Sequence, residues 1–198
     1  MTDMGTFRAA VIAWAAGGPD DPARELAARL RVRTAVLLEG PSDVAAVDAL
    51  AASRGRDLAA DGVCVLAIGG AMSVGRFARL LGPAGLGLRL TGLCDEGERD
   101  YYARGLDQFF VCAADLEDEL IRALGVPRVT ELVRAEGDLP ALQTFLRQPA
   151  QRDRPPEQQL RRFLGTKRGR KIRYGHVLVE ALDADRVPAP LDNLLASL

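Results

Sequence analysis

Residues 34–43 read TAVLLEGPSD, an apolar run that stops at a glutamate followed by a Gly-Pro turn. Residues 88–98, LRLTGLCDEGE, repeat this arrangement, so that Asp95 ends an apolar run as Glu39 does. Short apolar runs bounded by turn residues are typical of buried strands. In an open parallel α/β sheet, ligands bind at the carboxyl ends of the strands. Acidic side chains gathered there suit a hard divalent cation such as Mg²⁺.

The chain around these two stretches alternates between strand and helix signals. Strands are predicted at 34–39, 63–68, 88–94 and 108–113, and helical spacing follows each at 42–53, 73–81, 98–104 and 116–124. Four successive βα units predict an α/β fold of Rossmann-like type, with a four-stranded parallel sheet flanked by helices. The 198 residues, 48% of them hydrophobic, suffice to bury such a core.

Both flanks of this core are predicted to be helical. Residues 1–33 carry two helical stretches separated by Gly17-Gly18-Pro19-Asp20, and we expect them to form an N-terminal cap. Residues 34–125 would form the α/β core. Strand signals cease beyond it, so residues 126–198 are expected to form a helical C-terminal region that packs on the core or reaches over it.

Cysteine usage and hydropathy predict a soluble, cytoplasmic protein. Cys64, Cys94 and Cys112 lie within or at the end of apolar runs, and their spacing fits neither a zinc site nor a disulfide framework. We expect reduced thiols packed in the core. No secretory leader pattern occurs, and no segment approaches the roughly 20 apolar residues that span a bilayer. No membrane partner is therefore expected.

Ordinary structural roles compete for some of the acidic residues. Ser42 or Asp43 could cap the helix after the first strand, because both residue types are favoured at that position. Glu96 and Glu98 could be solvated first-turn acids stabilised by a helix dipole. Glu39 is harder to explain in this way, since a carboxylate that ends a buried strand needs a cation, an arginine or a proton. The same argument holds for the acid that ends the third strand.

The order of these motifs resembles a Toprim domain, the metal-binding module of topoisomerases, bacterial primases and several nucleases. The matching features are Glu-Gly-Pro-Ser-Asp after the first strand, Gly-Gly after the second and an Asp-rich turn after the third. Leu116-Glu117-Asp118 after the fourth strand, a helical insert and a late lysine, Lys171, look like the Toprim domain of the overcoming-lysogenization-defect (OLD) nucleases. The resemblance covers roughly residues 34 to 190.

This resemblance implies roles for particular residues. Glu39 would be a metal ligand or a general acid/base, and Lys171 would stabilise charge on the scissile phosphate. The implied metal ligands are Glu39, Asp43, Asp95, Glu98 and Glu117. One motif departs from the family pattern, because the second acid of its Asp-x-Asp falls on Gly97. Glu98 or Glu96 would have to take its place.

A basic segment, residues 161–173, contains seven basic residues and no acidic one. The predicted nucleic-acid-binding residues within it are Lys167, Arg168, Arg170, Lys171 and Arg173. Such a segment can track phosphates, with binding that weakens steeply as salt rises, or it can be a solvated helix face beside a charged loop. Aromatic residues are few there, so base stacking is not indicated. We expect sequence-nonspecific contact with a DNA backbone.

Two functions are compatible with these patterns. The first is a divalent-metal-dependent DNA endonuclease or nickase that hydrolyses phosphodiesters, with Mg²⁺ or Mn²⁺ as cofactor and Glu39 and Lys171 as catalytic residues. The alternative is a catalytically impaired Toprim-like module that binds nucleic acid or a partner ATPase, and its grounds are Gly97 and the missing ATPase domain. The sequence contains no G-x-x-x-x-G-K-[ST] motif, so an ATPase would be a separate protein. A primase-type nucleotidyl transferase would need a nucleotide-binding motif that is not found, and the oligomeric state is left open.

Overall fold

A four-stranded parallel sheet forms the centre of the protein in the computed structural model, which describes residues 3–198. The strands are β1 (Thr34–Leu38), β2 (Val63–Ala67), β3 (Arg89–Asp95) and β4 (Phe110–Cys112). Their spatial order is β2-β1-β3-β4, and every pairing is parallel. The predicted α/β fold with four parallel strands is confirmed.

Helices surround this sheet in the described part of the chain. Before it lie α1 (Asp3–Ala15) and α2 (Asp21–Leu30). The strands are followed in turn by α3 (Pro41–Ser53), α4 (Val74–Leu81), α5 (Arg99–Ala103) and α6 (Leu116–Leu124). The remaining helices are α7 (Val126–Ala135), α8 (Leu139–Leu146), α9 (Pro156–Leu164), α10 (Arg168–Glu180) and α11 (Ala189–Ala196). Single 3₁₀ turns occur at Ala71–Ser73, Glu96–Glu98, Pro149–Gln151 and Ala184–Arg186.

The sheet is covered on both faces, because successive residues of a strand point to opposite sides. Val36 and Leu38 of β1 belong to a hydrophobic cluster that includes side chains of α3 and of α6 to α11. Ala35 and Leu37 belong to a second cluster, with α1, α2, α4 and α5. All of β1 is therefore buried, which explains its unbroken apolar sequence.

Three further features of the described residues concern the cysteines, the length of β4 and the character of the helices. The cysteines at 64, 94 and 112 are free and buried within the core. β4 is shorter than the predicted 108–113, because it lies at the sheet edge and pairs only with residues 93–95 of β3. Among the helices between residues 3 and 198, none combines the length and the apolar character required to cross a membrane.

The approach of α10 to α3 brings the C-terminal helices to the carboxyl ends of the strands. The two helices pack along one another, and Gly175 lies against the start of α3. A Cβ atom at Gly175 would stand 2.5 Å from the carbonyl oxygen of Ser42, so only glycine permits this approach. Lys171 lies one turn earlier on α10, which places it beside the end of β1.

Candidate metal centre

The main chain of Glu39 is held firmly at the end of β1. Its carbonyl oxygen accepts hydrogen bonds from the backbone N–H groups of Gly69 and Gly70, at 3.1 and 3.2 Å. Both glycines have positive φ, 76° and 110°, a backbone region that favours glycine. The Gly-Gly turn after β2 therefore fixes the position from which the Glu39 carboxylate projects.

Three carboxylates converge at the carboxyl ends of β1 and β3. Glu39 follows β1, Asp95 ends β3, and the 3₁₀ turn after β3 brings Glu98 back toward them. One carboxylate oxygen from each of these residues, which we call the acidic triad, lies within 4.8 Å of the other two. Such a spacing allows all three to reach one cation.

The two acids that could replace the missing motif acid have different environments. Glu98 is half-buried, and its Oε2 atom is buried without a hydrogen-bond partner among the described residues. A buried oxygen of this kind is costly unless something else binds it. Glu96 is exposed, and its Oε1 lies 3.4 Å from Nη1 of Arg99. Glu98 thus joins the triad, and Glu96 does not.

Asp43 and Glu117 lie in the same region but outside the triad. A cleft of about 270 Å³, the acidic cleft, is lined by Glu39, Asp43, Asp95, Asp115, Glu117, Arg168 and Lys171. Oδ2 of Asp43 accepts a hydrogen bond of 2.9 Å from the backbone N–H of Gly40, so this residue does cap α3. Glu117 is only 4% exposed and faces Lys171, with 3.3 Å between its Oε2 and the Lys171 Nζ.

Burial and mutual repulsion raise the pKa values of several acids at this site. Burial raises the pKa of Asp95 to about 7, with Asp115 and Asp43 adding repulsion. For Glu98, burial and the contact with Glu39 raise the pKa to about 7. Burial also raises the pKa of Glu117 to about 7, although Lys171 opposes the shift. Because burial is the largest cause of each shift, these three acids lose their protons less readily than exposed carboxylates do.

Lys171 supplies positive charge beside these acids. Burial acts to lower its pKa, but the neighbouring Glu117 and Asp43 carboxylates outweigh that effect and raise it. The side chain of Lys171 is 42% exposed, so its ammonium group reaches both the acidic cleft and solvent. It is protonated at neutral pH and can meet an anion that enters the cleft.

The predicted basic residues do not share one surface. Arg168 lines the acidic cleft with Lys171, whereas Lys167 lines a separate groove. Arg173 is exposed but ion-paired with Asp138 and, at 3.3 Å, with Glu136.

Arg170 is only 8% exposed, so the expectation that it contacts nucleic acid needs correction. Its Nε and Nη2 atoms lie 3.3 Å from the two carboxylate oxygens of Asp138. Its guanidinium carbon stands 4.0 Å from the centre of the Phe163 ring. These contacts occupy the guanidinium inside the protein, which leaves it unavailable to a phosphate.

Asp115 is a cleft residue that the sequence analysis missed. Its Oδ1 caps α6 by accepting a hydrogen bond of 2.8 Å from the backbone N–H of Asp118. Its Oδ2 accepts one of 2.6 Å from Nε of Arg161, which ties α9 to the site. The available signal was its place in the turn between β4 and α6, at the same end of the sheet as the acids at the ends of β1 and β3.

The chain matches a family model in sequence and several solved structures in fold. Residues 32–96 match the family model described as "Overcoming lysogenization defect protein-like, TOPRIM domain". No curated protein matches the chain.

Solved structures similar to the chain are C-terminal regions of OLD proteins. That of Burkholderia pseudomallei has a TM-score of 0.60 and 19% identity, which shows the fold alone, and the match covers 84% of this chain and 96% of that chain. That of Xanthomonas campestris pv. campestris, phased with platinum, has a TM-score of 0.60 and 26% identity over 83% of this chain and 91% of that chain. The same region phased with iodine has a TM-score of 0.60 and 27% identity over 83% and 93%.

Proposed function

We propose that this chain is a Mg²⁺- or Mn²⁺-dependent DNA endonuclease or nickase. The match of residues 32–96 to an OLD-like Toprim domain, which agrees with the predicted motif order, supports a module that acts on nucleic acid. The observation that carries the proposal is the convergence of Glu39, Asp95 and Glu98 within 4.8 Å at the carboxyl ends of β1 and β3. Hydrolysis of phosphodiesters is the chemistry that such a group of acids beside a protonated lysine supports best.

The residues present fit a hard divalent cation. All donors of the acidic triad are carboxylate oxygens, the ligand type preferred by Mg²⁺ and Mn²⁺. A cation would give the unpartnered Oε2 of Glu98 a partner, and it would lower the raised pKa values of Asp95 and Glu98. A divalent ion held there would supply Lewis-acid stabilisation of charge on the phosphate.

The chain's own residues would handle the substrate and its protons. Lys171 and Arg168 line the acidic cleft and offer positive charge to phosphate oxygens, with the lysine held in place by Glu117. Asp95 and Glu98 have pKa values of about 7 in the metal-free protein, so a cation that binds them would displace protons from them. Glu39, fixed by the Gly-Gly turn, is positioned either to bind the cation or to act as a general acid/base.

Plasmid nicking tests this proposal. Supercoiled DNA would be incubated with Mg²⁺ or Mn²⁺ and with wild type, Glu39→Gln or the control Glu131→Gln, which alters an exposed glutamate of α7 paired with Arg128. We expect wild type and the control to nick equally, and Glu39→Gln to be slower by about 100-fold or more. Equal nicking by all three proteins would refute the assignment.

The alternative is a module that binds nucleic acid or a partner ATPase without catalysis, and one of its two grounds was the glycine at position 97. Glu98 lies beside Glu39 and Asp95, so a third carboxylate is present despite that glycine. The nicking assay separates the two functions, because a binding module would leave the plasmid supercoiled even where it binds it. A separate ATPase partner stays a prediction, to be tested by whether an added ATPase changes the nicking rate.

A further inference from the structure

A second cleft of about 450 Å³ adjoins the acidic cleft. Asp115, Glu117 and Lys171 line both clefts, so the two share a wall. Three arginines on and before α9 line only the second one: Arg154, Arg161 and Arg162. We call this the α9 cleft.

The acidic residues of the shared wall are already neutralised by cations. Arg161 Nε lies 2.6 Å from Oδ2 of Asp115, and Lys171 Nζ lies 3.3 Å from Oε2 of Glu117. The charge that the α9 cleft presents to solvent therefore comes from the two remaining arginines.

These two arginines, Arg154 and Arg162, are exposed and make no ion pair within residues 3–198. Arg154 uses only Nε internally, donating a hydrogen bond of 2.9 Å to the carbonyl oxygen of Ala150, so its two terminal nitrogens make no hydrogen bond among the described residues. A guanidinium with free terminal nitrogens matches a phosphate, since the planar group can donate two parallel hydrogen bonds.

We propose that the α9 cleft binds the sugar-phosphate backbone of the nucleic acid that enters the acidic cleft, with Arg154 and Arg162 each contacting a phosphate. This inference rests on the proposed function, since it supplies the path by which a polyanion reaches a site crowded with carboxylates. The lining of the α9 cleft includes no aromatic residue, so its contacts are with the backbone rather than with stacked bases.

The proposed nucleic-acid contact lies away from much of the basic segment, residues 161–173, that the sequence indicated. Arg170 is buried and Arg173 is ion-paired, whereas Arg154 lies outside residues 161–173 altogether. The α9 cleft thus follows α9 and the turn before it, and Lys171 is the residue of α10 that lines it.

Fluorescence anisotropy with short labelled DNA, in EDTA so that no cleavage occurs, tests the proposal. The variant is Arg154→Gln/Arg162→Gln. The control Arg147→Gln/Arg152→Gln removes two exposed arginines of the same helical region that do not line the α9 cleft. Loss of two phosphate contacts should reduce the slope of log K against log salt by about 1.8 for duplex DNA, or about 1.4 for a single strand, while the control keeps the wild-type slope.

Two outcomes would overturn the inference. One is a slope and affinity of the cleft variant that equal those of wild type, and the other is no DNA binding by wild type at low salt. The proposed function is judged separately by nicking. If wild type binds and the cleft variant loses affinity, but no protein nicks DNA, the α9 cleft stands and the nuclease assignment fails.

Discussion

Glu96 and Glu98 are two residues apart, yet one faces solvent and the other joins the acidic triad. In an extended strand, residues two apart point to the same side, whereas in a 3₁₀ turn they point in different directions. The chain adopts a 3₁₀ turn at Glu96–Glu98. The sequence predicted that one of these acids would replace the motif acid lost at Gly97. Glu98 was the predicted ligand, but the sequence did not show the local turn that directs Glu98, and not Glu96, toward the site.

Replacement of Glu98 should therefore weaken metal binding, whereas replacement of Glu96 should not. We expect Glu98→Gln to raise the Kd for Mn²⁺ by about tenfold or more, since even residues that only orient metal ligands have effects of this size. Glu96→Gln removes the same charge two residues away and should bind Mn²⁺ as wild type does. Isothermal titration calorimetry measures both, and equal losses in the two variants would argue against the triad.

The raised pKa values predict how stability depends on pH. Asp95, Glu98 and Glu117 have pKa values of about 7 in the folded, metal-free protein, well above their ordinary values near 4. The folded state therefore binds more protons than the unfolded state between these limits, so the contribution of the three acids to stability falls as pH rises from about 4 to about 7.

Thermal unfolding at several pH values, with and without Mn²⁺, measures this effect. We expect Mn²⁺ to raise Tm strongly at about pH 8, where it replaces the missing protons, and only weakly at about pH 5, where protons compete with it. Asp95→Asn should flatten the pH dependence of the metal-free protein and reduce the Mn²⁺ effect. A Mn²⁺ shift that is independent of pH, or unchanged in Asp95→Asn, would contradict the account.

Among the elements, α10 depends most on contacts that are distant in sequence. It is observed at Arg168–Glu180, within the region 126–198 that the sequence predicted to be helical. The burial of Arg170 could not be predicted, because its partner Asp138 is 32 residues away in sequence. The need for glycine at position 175 could not be predicted either, because it comes from a close contact with the carbonyl oxygen of Ser42 on α3.

Two glycine substitutions in α10 test this packing. Alanine favours helix by about 1 kcal/mol over glycine, so each change would stabilise α10 if nothing else intervened. A Cβ at Gly175 would stand 2.5 Å from Ser42 O, whereas one at Gly169 meets nothing within 4 Å. We expect Gly175→Ala to lower the free energy of unfolding by about 1–2 kcal/mol and Gly169→Ala to leave it unchanged or raise it slightly. Urea denaturation gives both values, and equal effects would mean that α10 does not depend on this contact.

For the whole molecule, the sequence was most informative about the sheet. The four apolar runs became four parallel strands, because buried parallel strands are apolar on both faces. Their order, β2-β1-β3-β4, was not predicted, since strand order depends on how the helices cross over. One hydrophobic cluster also joins β1 to α11, so the core continues from residues 34–125 into residues 126–198.

This shared core predicts that both parts unfold together. Leu194 of α11 is fully buried in the cluster on one face of the sheet, whereas Trp14 of α1 packs against the cluster on the other face. Leu194→Ala should lower the free energy of unfolding by about 2–5 kcal/mol. The urea transition seen by Trp14 fluorescence should shift as far as the one seen by circular dichroism. An unchanged Trp14 transition would mean that residues 126–198 fold as a separate unit.

The central claim is that Glu39, Asp95 and Glu98 hold one divalent cation. Anomalous diffraction from a crystal soaked in Mn²⁺ tests it directly, because the ion is located without reference to activity. The account predicts an anomalous peak bonded to carboxylate oxygens of Glu39, Asp95 and Glu98. A peak bound elsewhere, or none at a Mn²⁺ concentration that supports nicking, would contradict it.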